Sequence, residues 1–299
     1  MTAWTQPPYA DPSLFVEQDI TLEADGRTVP GTLTLPKEHP RIGVVLLAGG
    51  GPFDRDETAG PNKPLKDLAW GLASRGIAVL RFDKVTANRP EAMTEPGYTM
   101  TAEYVPHAIA AVRALQPHVD QVFLVGHSMG GKVAPRIAAE EPLVAGLVIM
   151  AGDTEPMHHA AVRVLRYLGV PTEVVEQFAQ QAAVVDSPEL AVDTPAQELP
   201  FGLPGSFWLE LREYDPVATA AKVDRPILIL QGGRDYQVTV ADDLPAWQRG
   251  LPDATVEVLA ADNHLFFPGT GPSTMADYEA PQHVDPEALT TIVSWLLRQ

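Results

Sequence analysis

Ser128 lies in the hexapeptide Gly126-His127-Ser128-Met129-Gly130-Gly131, a G-x-S-x-G pattern. Small residues two before and two after a serine permit a strained turn that lifts its hydroxyl clear of the backbone. A serine hydroxyl is a poor nucleophile at neutral pH, so this chemistry also needs a base to take its proton and an acid to orient that base. Two further polar groups follow apolar runs downstream: Gln231-Gly232-Gly233-Arg234-Asp235 and Ala260-Ala261-Asp262-Asn263-His264. Nucleophile Ser128, acid Asp235 and base His264 thus occur in the order expected of a G-x-S-x-G nucleophile elbow. A tetrahedral oxyanion needs two backbone donors. The N–H of Met129, at a helix N-terminus directly after the serine, supplies one, and the loop Gly49-Gly50-Gly51 offers the other, with Gly50 preferred and Gly51 next.

Rivals exist for each role. Asp153 follows the strand after the elbow and Asp262 stands two residues from the base, so both compete with Asp235. His283 precedes the last helix and is the next choice of base. His127 falls inside the elbow, where its ring would lie beneath Ser128. His107 and His118 flank a helix as surface or capping residues, and His39 belongs to a surface turn. The adjacent pair His158-His159 faces two sides of a helix, which argues against chelation. Asp54-Arg55-Asp56-Glu57 offers too few ligands for a divalent cation; a structural pairing of Arg55 with a carboxylate, stiffening the Gly49–Gly51 loop, is the expectation, with Asp83 and Lys84 nearby candidates. Phe53, Phe207, Trp208 and Phe266 (or Phe267) are candidates for an apolar acyl pocket, with ordinary packing an equal alternative.

The elements that must position these groups are legible as periodicity. Ile42–Ala48, Ile77–Asp83, Val122–Val125, Leu143–Met150 and Ile227–Leu230 are continuous apolar runs, the mark of strands covered on both faces, and Val256–Leu259 completes the set. Helical spacing fills the gaps: Leu65 to Arg75, stopped by Gly76, then Ala102 to Leu115, Lys132 to Glu140, Asp242 to Arg249 and Pro286 to Arg298. Alternation of this kind predicts an α/β fold with a mostly parallel, doubly wound sheet. Val16–Glu23 and Thr28–Leu35, joined at Asp25-Gly26, predict an antiparallel hairpin at its N-terminal edge. The alternation breaks from Thr154 to Glu213, where helices at Met157–Leu168 and Pro171–Val185, a Pro-rich stretch and an amphipathic segment predict a helical cap. The expected division is a core of residues 1–153 and 214–299 with a cap insertion at 154–213.

Composition limits the function classes. The chain has 299 residues, a formal net charge of -18 and no cysteine. That charge disfavours a nucleic-acid partner, and the missing cysteine excludes thiol catalysis, disulfides and Cys-based zinc sites. The N-terminal residues show neither a basic region nor an apolar stretch, so no signal peptide, no membrane span and a cytoplasmic location are the expectation. Residues 1 to about 13, rich in Pro, read as a loosely held tail.

Five segments carry a family resemblance: Ala48-Gly49-Gly50-Gly51-Pro52-Phe53-Asp54-Arg55-Asp56, Leu72 to Lys84, the hexapeptide at 126–131, Gln231 to Asp235, and Asn263-His264-Leu265-Phe266-Phe267. With them the chain, from about residue 16 onward, resembles the α/β-hydrolases, and within them the dienelactone-hydrolase-like carboxylesterases. The resemblance implies an α/β-hydrolase fold and a cofactor-free, metal-free serine esterase acting on small-molecule esters. Acyl-CoA thioesterases and serine peptidases on the same fold are the alternatives, and a binding protein with a silent triad a more distant one. Gly50 departs from the many relatives with a polar residue in the oxyanion loop, so no side chain contributes there. The sequence leaves oligomeric state open, a homodimer included.

Overall fold

A computed structural model describes residues 4–299. Eight strands, β1 (Phe15–Ala24), β2 (Arg27–Pro36), β3 (Ile42–Leu47), β4 (Ala78–Phe82), β5 (Gln121–His127), β6 (Val144–Met150), β7 (Ile227–Gly232) and β8 (Thr255–Leu259), form one sheet in the order β1-β2-β4-β3-β5-β6-β7-β8. All pairings from β4 to β8 are parallel, and β1 and β2 make the expected antiparallel edge. Their hairpin turns at Asp25 and Gly26, both with positive φ, the geometry of a two-residue turn that follows strand twist.

The helices are α1 (Pro64–Ala73), α2 (Val85–Asn88), α3 (Met100–Leu115), α4 (Met129–Glu140), α5 (Met157–Tyr167), α6 (Thr172–Asp186), α7 (Gly205–Glu213), α8 (Pro216–Ala220), α9 (Leu244–Gly250), α10 (Ala276–Glu279) and α11 (Pro286–Leu296). Side chains of a strand alternate between faces. Val45 and Leu47 of β3 and Val122 and Leu124 of β5 therefore join one core layer under α3 and α4. Val44, Leu46, Phe123 and Val125 join the other, under α1 and α11. Two-sided burial explains why the central strands are apolar throughout rather than alternating.

The chain from residue 154 to residue 213 carries α5, α6, α7 and short 3-10 turns, and no strand. It is fastened to the body by Arg136 of α4, which with Thr101 of α3 binds the Glu210 carboxylate of α7. Tyr214, just after α7, donates its hydroxyl to the Lys132 carbonyl at 2.9 Å.

The amino-terminal segment departs from the expected loose tail. Trp4 donates its indole N–H to Asp67 of α1 at 2.8 Å and packs edge-on against Trp70, and the Asp11 N–H reaches Ser74. Residues 1–3, part of that expectation, lie outside the described residues. Among the described residues no helix is long and apolar enough to cross a membrane.

Candidate active site

Ser128 stands between β5 and α4 with φ 53 and ψ -121, a backbone conformation that costs a non-glycine residue about 1–3 kcal/mol. The hexapeptide allows it because its glycines have no room for side chains. A Cβ at Gly126 would lie 2.3 Å from the Gly130 carbonyl oxygen, and one at Gly130 2.4 Å from that of Leu47. The turn is then held by the Ser128 N–H, which donates to Met150 of β6 at 2.8 Å, and by the first turn of α4, where Lys132 N–H donates to Ser128 at 3.0 Å.

Asp235 follows β7 and His264 follows β8, so both stand at the carboxyl edge of the sheet with Ser128, where open α/β sheets bind ligands. The structure brings the two together: His264 Nδ1 lies 2.7 Å from Asp235 Oδ2. The other Asp235 oxygen accepts the N–H groups of Gln237 at 2.7 Å and Val238 at 3.0 Å, which fixes the carboxylate plane. The Asp235 side chain is fully buried and that of His264 nearly so. A carboxylate on Nδ1 assigns the proton to that nitrogen. His264 Nε2 meets no protein partner among the described residues.

The Gly49–Gly51 loop is anchored by Glu57, by Lys84, a candidate from the sequence, and by Tyr104, which sequence reasoning did not single out. Gly49 N–H donates to Glu57 Oε1 at 2.8 Å. Its carbonyl accepts from the Lys84 ammonium at 3.0 Å and the Tyr104 hydroxyl at 2.7 Å. A trans peptide points its N–H opposite to its C=O, so with the Gly49 carbonyl turned toward Lys84 and Tyr104, the Gly50 N–H points away from them. Gly50 abuts Met129: a Cβ there would touch the Met129 side chain at 3.5 Å. The Gly51 carbonyl is occupied by the Phe53 N–H at 2.9 Å. Lys84 is buried, and loss of hydration pulls its pKa down to about 8 despite the opposing pull of Glu103 and Glu57.

His127, inside the elbow, sits at the centre of this construction. Its Nδ1 is 2.8 Å from Glu57 Oε1 and its Nε2 2.8 Å from the His264 carbonyl oxygen. Its ring centroid lies 4.7 Å from that of His264. Burial alone would lower its pKa, but the Glu57 charge and the hydrogen bonds outweigh it and hold the ring above its ordinary value. One carboxylate thereby touches both the Gly49–Gly51 loop and the elbow, and the elbow imidazole touches the loop that carries His264.

The competing residues are placed elsewhere. Asp153 is paired with Lys132 at 2.6 Å. Asp262 is fully buried and neither of its oxygens meets a hydrogen-bond donor. His283 contacts Asp67 at 3.1 Å, on α1. His107, expected at the surface, is buried in α3 with Nε2 3.2 Å from the Arg27 carbonyl. Arg55 pairs with Asp83 at 2.8 Å, and Asp56 with Arg81 and Lys63. Of the pocket candidates, Phe53 is half-buried beside Gly51, its ring 3.3 Å from where a Gly51 Cβ would stand. Phe207 stacks on Tyr98 and Trp208 is fully buried against Phe207. Phe266 is in the core beside His127, with Phe267, Leu65 and Leu68 in the same layer. Packing of that kind leaves it no open wall.

Similarity to known proteins agrees with this arrangement. Residues 44–277 match the alpha/beta hydrolase family. The esterase EstD of Thermotoga maritima is 36% identical over 306 residues, covering 99% of this chain and 71% of that protein. Among solved structures, Est1E from Butyrivibrio proteoclasticus superposes with a TM-score of 0.61 at 17% identity, covering 94% of this chain and 99% of its own. The Pyrococcus furiosus esterase Pf2001 does so with a TM-score of 0.60 at 17% identity over 100% of this chain and 97% of its own.

Proposed function

The chain belongs to the α/β-hydrolase family, and from that premise we propose that it is a serine carboxylesterase with Ser128 as nucleophile, His264 as base and Asp235 as the acid that orients it. The observation that carries this reading is the 2.7 Å contact of His264 Nδ1 with buried Asp235, which leaves Nε2 as the free ring nitrogen on the sheet edge that bears Ser128. Within the family, the five sequence segments favour the dienelactone-hydrolase-like branch.

Ser128 Oγ attacks the ester carbonyl as His264 Nε2 takes its proton. The oxyanion accepts hydrogen bonds from Met129 N–H and Gly50 N–H, with Gly51 the second choice for the latter; one such donor is worth about 3 kcal/mol of transition-state stabilisation. Collapse breaks the C–O bond, and His264 returns the proton to the departing alcohol. Water, deprotonated by His264, then attacks the acyl-enzyme and releases the acid, restoring Ser128. Helices α5 to α7 act as a cap over this edge, with Phe53 at the mouth and Phe207 and Trp208 stiffening the cap from within. The substrate is a small-molecule ester, and the cytoplasm is the location most consistent with the sequence.

A fluorophosphonate probe tests the assignment. Covalent labelling at Ser128, with hydrolysis of p-nitrophenyl butyrate lost in Ser128→Ala, is the expected result; an unlabelled serine or an active Ser128→Ala variant overturns it. Rates on an acyl-CoA thioester and an aminoacyl anilide, measured beside the ester, rank the competing leaving groups.

A further inference from the structure

We propose that His158, His159 and Asp186 form a binding site for a divalent transition metal of the zinc class, joining the start of α5 to the end of α6. Adjacent residues of a helix leave the axis about 100° apart, and the sequence accordingly argued against chelation. In the structure the two rings nevertheless converge. Their centroids are 4.3 Å apart, and His158 Nε2 and His159 Nε2 reach the two oxygens of the single Asp186 carboxylate at 2.9 and 2.8 Å.

The three ligand atoms lie within 4.8 Å of one another. Metal–ligand distances of about 2.0–2.2 Å place neighbouring ligand atoms roughly 3 Å apart, so small rotations of the side chains admit an ion. Two imidazoles and a carboxylate suit Zn2+, Co2+ or Ni2+ rather than Mg2+ or Ca2+, with water completing the coordination.

Charge independently points to a cation. Asp186 is the last residue of α6, and that helix has no basic residue in its last turn. Its carboxylate therefore faces the negative end of the helix dipole, where positive charge is stabilising. Lys132, whose field opposes a cation at His158, is itself paired with Asp153.

Access and rigidity are both provided. The side chains of His159 and Asp186 are 47% and 51% exposed, whereas that of His158 is 4% exposed. Trp208 packs edge-to-face on the His158 ring at 5.8 Å and sets its orientation. One ligand is thus fixed in advance and two can close on the ion from solvent.

The test is calorimetric titration of untagged, EDTA-stripped full chain with ZnCl2, with MgCl2 as a control and CoCl2 followed by absorption. We expect one Zn2+ per chain at a Kd of about 1 µM or tighter. His159→Ala and Asp186→Asn, both solvent-facing and checked for folding by circular dichroism, should each weaken binding at least about tenfold. His39→Ala, at an exposed turn, should leave it unchanged. No Zn2+ binding to the wild type at about 100 µM, or equal binding by wild type and His159→Ala, overturns the site and leaves a hydrogen-bonded His–Asp cluster.

Discussion

Glu57 Oε1 and His127 Nδ1 lie 2.8 Å apart, with both side chains almost wholly buried. The same oxygen accepts the Gly49 N–H, and the other nitrogen of the same ring reaches the His264 carbonyl. Three loops that must keep register for the proposed reaction are thereby tied to one ion pair. Glu57→Gln keeps the shape but removes the charge, and should lower kcat about tenfold with little change in KM, because it disturbs positioning rather than ester binding. Glu57→Ala strands a buried imidazole and should cost about 3–5 kcal/mol in urea unfolding. A Glu57→Gln enzyme with unchanged kcat would show that the pair only fills space.

The pH dependence of stability follows from groups of opposite sign. His127 has its folded pKa raised above 6.5, so the stability from its ion pair is present below that value and is lost as pH rises through the raised one. Asp262 is pushed up to about 8 by burial and by the neighbouring Asp285 charge. It stays protonated in the fold while the unfolded chain releases its proton near 3.8, so stability falls between about pH 4 and pH 8. Lys84 works the other way: with a folded pKa of about 8 against 10.5 unfolded, its burial penalty is relieved across that interval. Asp262→Asn should therefore raise the urea midpoint at pH 8 and leave it nearly unchanged at pH 4. A midpoint at pH 8 no higher than that of the wild type contradicts the assignment.

Lys84 and Tyr104 share the Gly49 carbonyl and can be separated by substitution. Lys84→Met removes a buried cation but leaves the Tyr104 hydroxyl donating to the same oxygen. Thermal stability should be kept or raised, since apolar replacement of a desolvated charge is often stabilising, while kcat should fall about tenfold as the Gly50 N–H loses its fixed aim. Calorimetric melting and steady-state kinetics on one preparation give both readings. Parallel losses in the two would make Lys84 a stability residue alone.

Sequence reading reached what local pattern encodes. Buried parallel strands are apolar throughout, so β3, β5, β6 and β7 are visible as runs, and each polar residue just past a run marks the sheet edge; this is how Ser128 and Asp235 come into view. The pairing of the supports was not visible, because the partners are remote in the chain: Glu57 and His127 are separated by 70 residues and Lys84 and Gly49 by 35. Trp4 was hidden for the same reason, its partner Asp67 lying 63 residues on. His107 looked like a surface residue because polarity was read without the β-hairpin carbonyl at Arg27 that it meets. The convergence of His158 and His159 on Asp186 is not legible in the sequence, because helical spacing fixes where Cβ atoms point while side-chain torsions decide where Nε2 arrives.

The attachment of α7 to the body gives a test of the cap. Arg136 binds Glu210 and Thr101 and also lies 4.0 Å above the Tyr214 ring, so α3, α4 and α7 meet at one guanidinium. Two functions are at stake there: holding the segment in place and shaping what enters beneath it. Arg136→Ala deprives Glu210 of its cation and should lower Tm by about 2–4 °C for each kcal/mol lost. If α5 to α7 form the ceiling of the acyl site, the same variant should leave kcat/KM on p-nitrophenyl acetate within about twofold and change it about tenfold on a long-chain ester, because only the longer chain meets the loosened ceiling. Equal changes on both esters would place the effect at the elbow, through α4, and would argue that these helices do not bound the acyl chain.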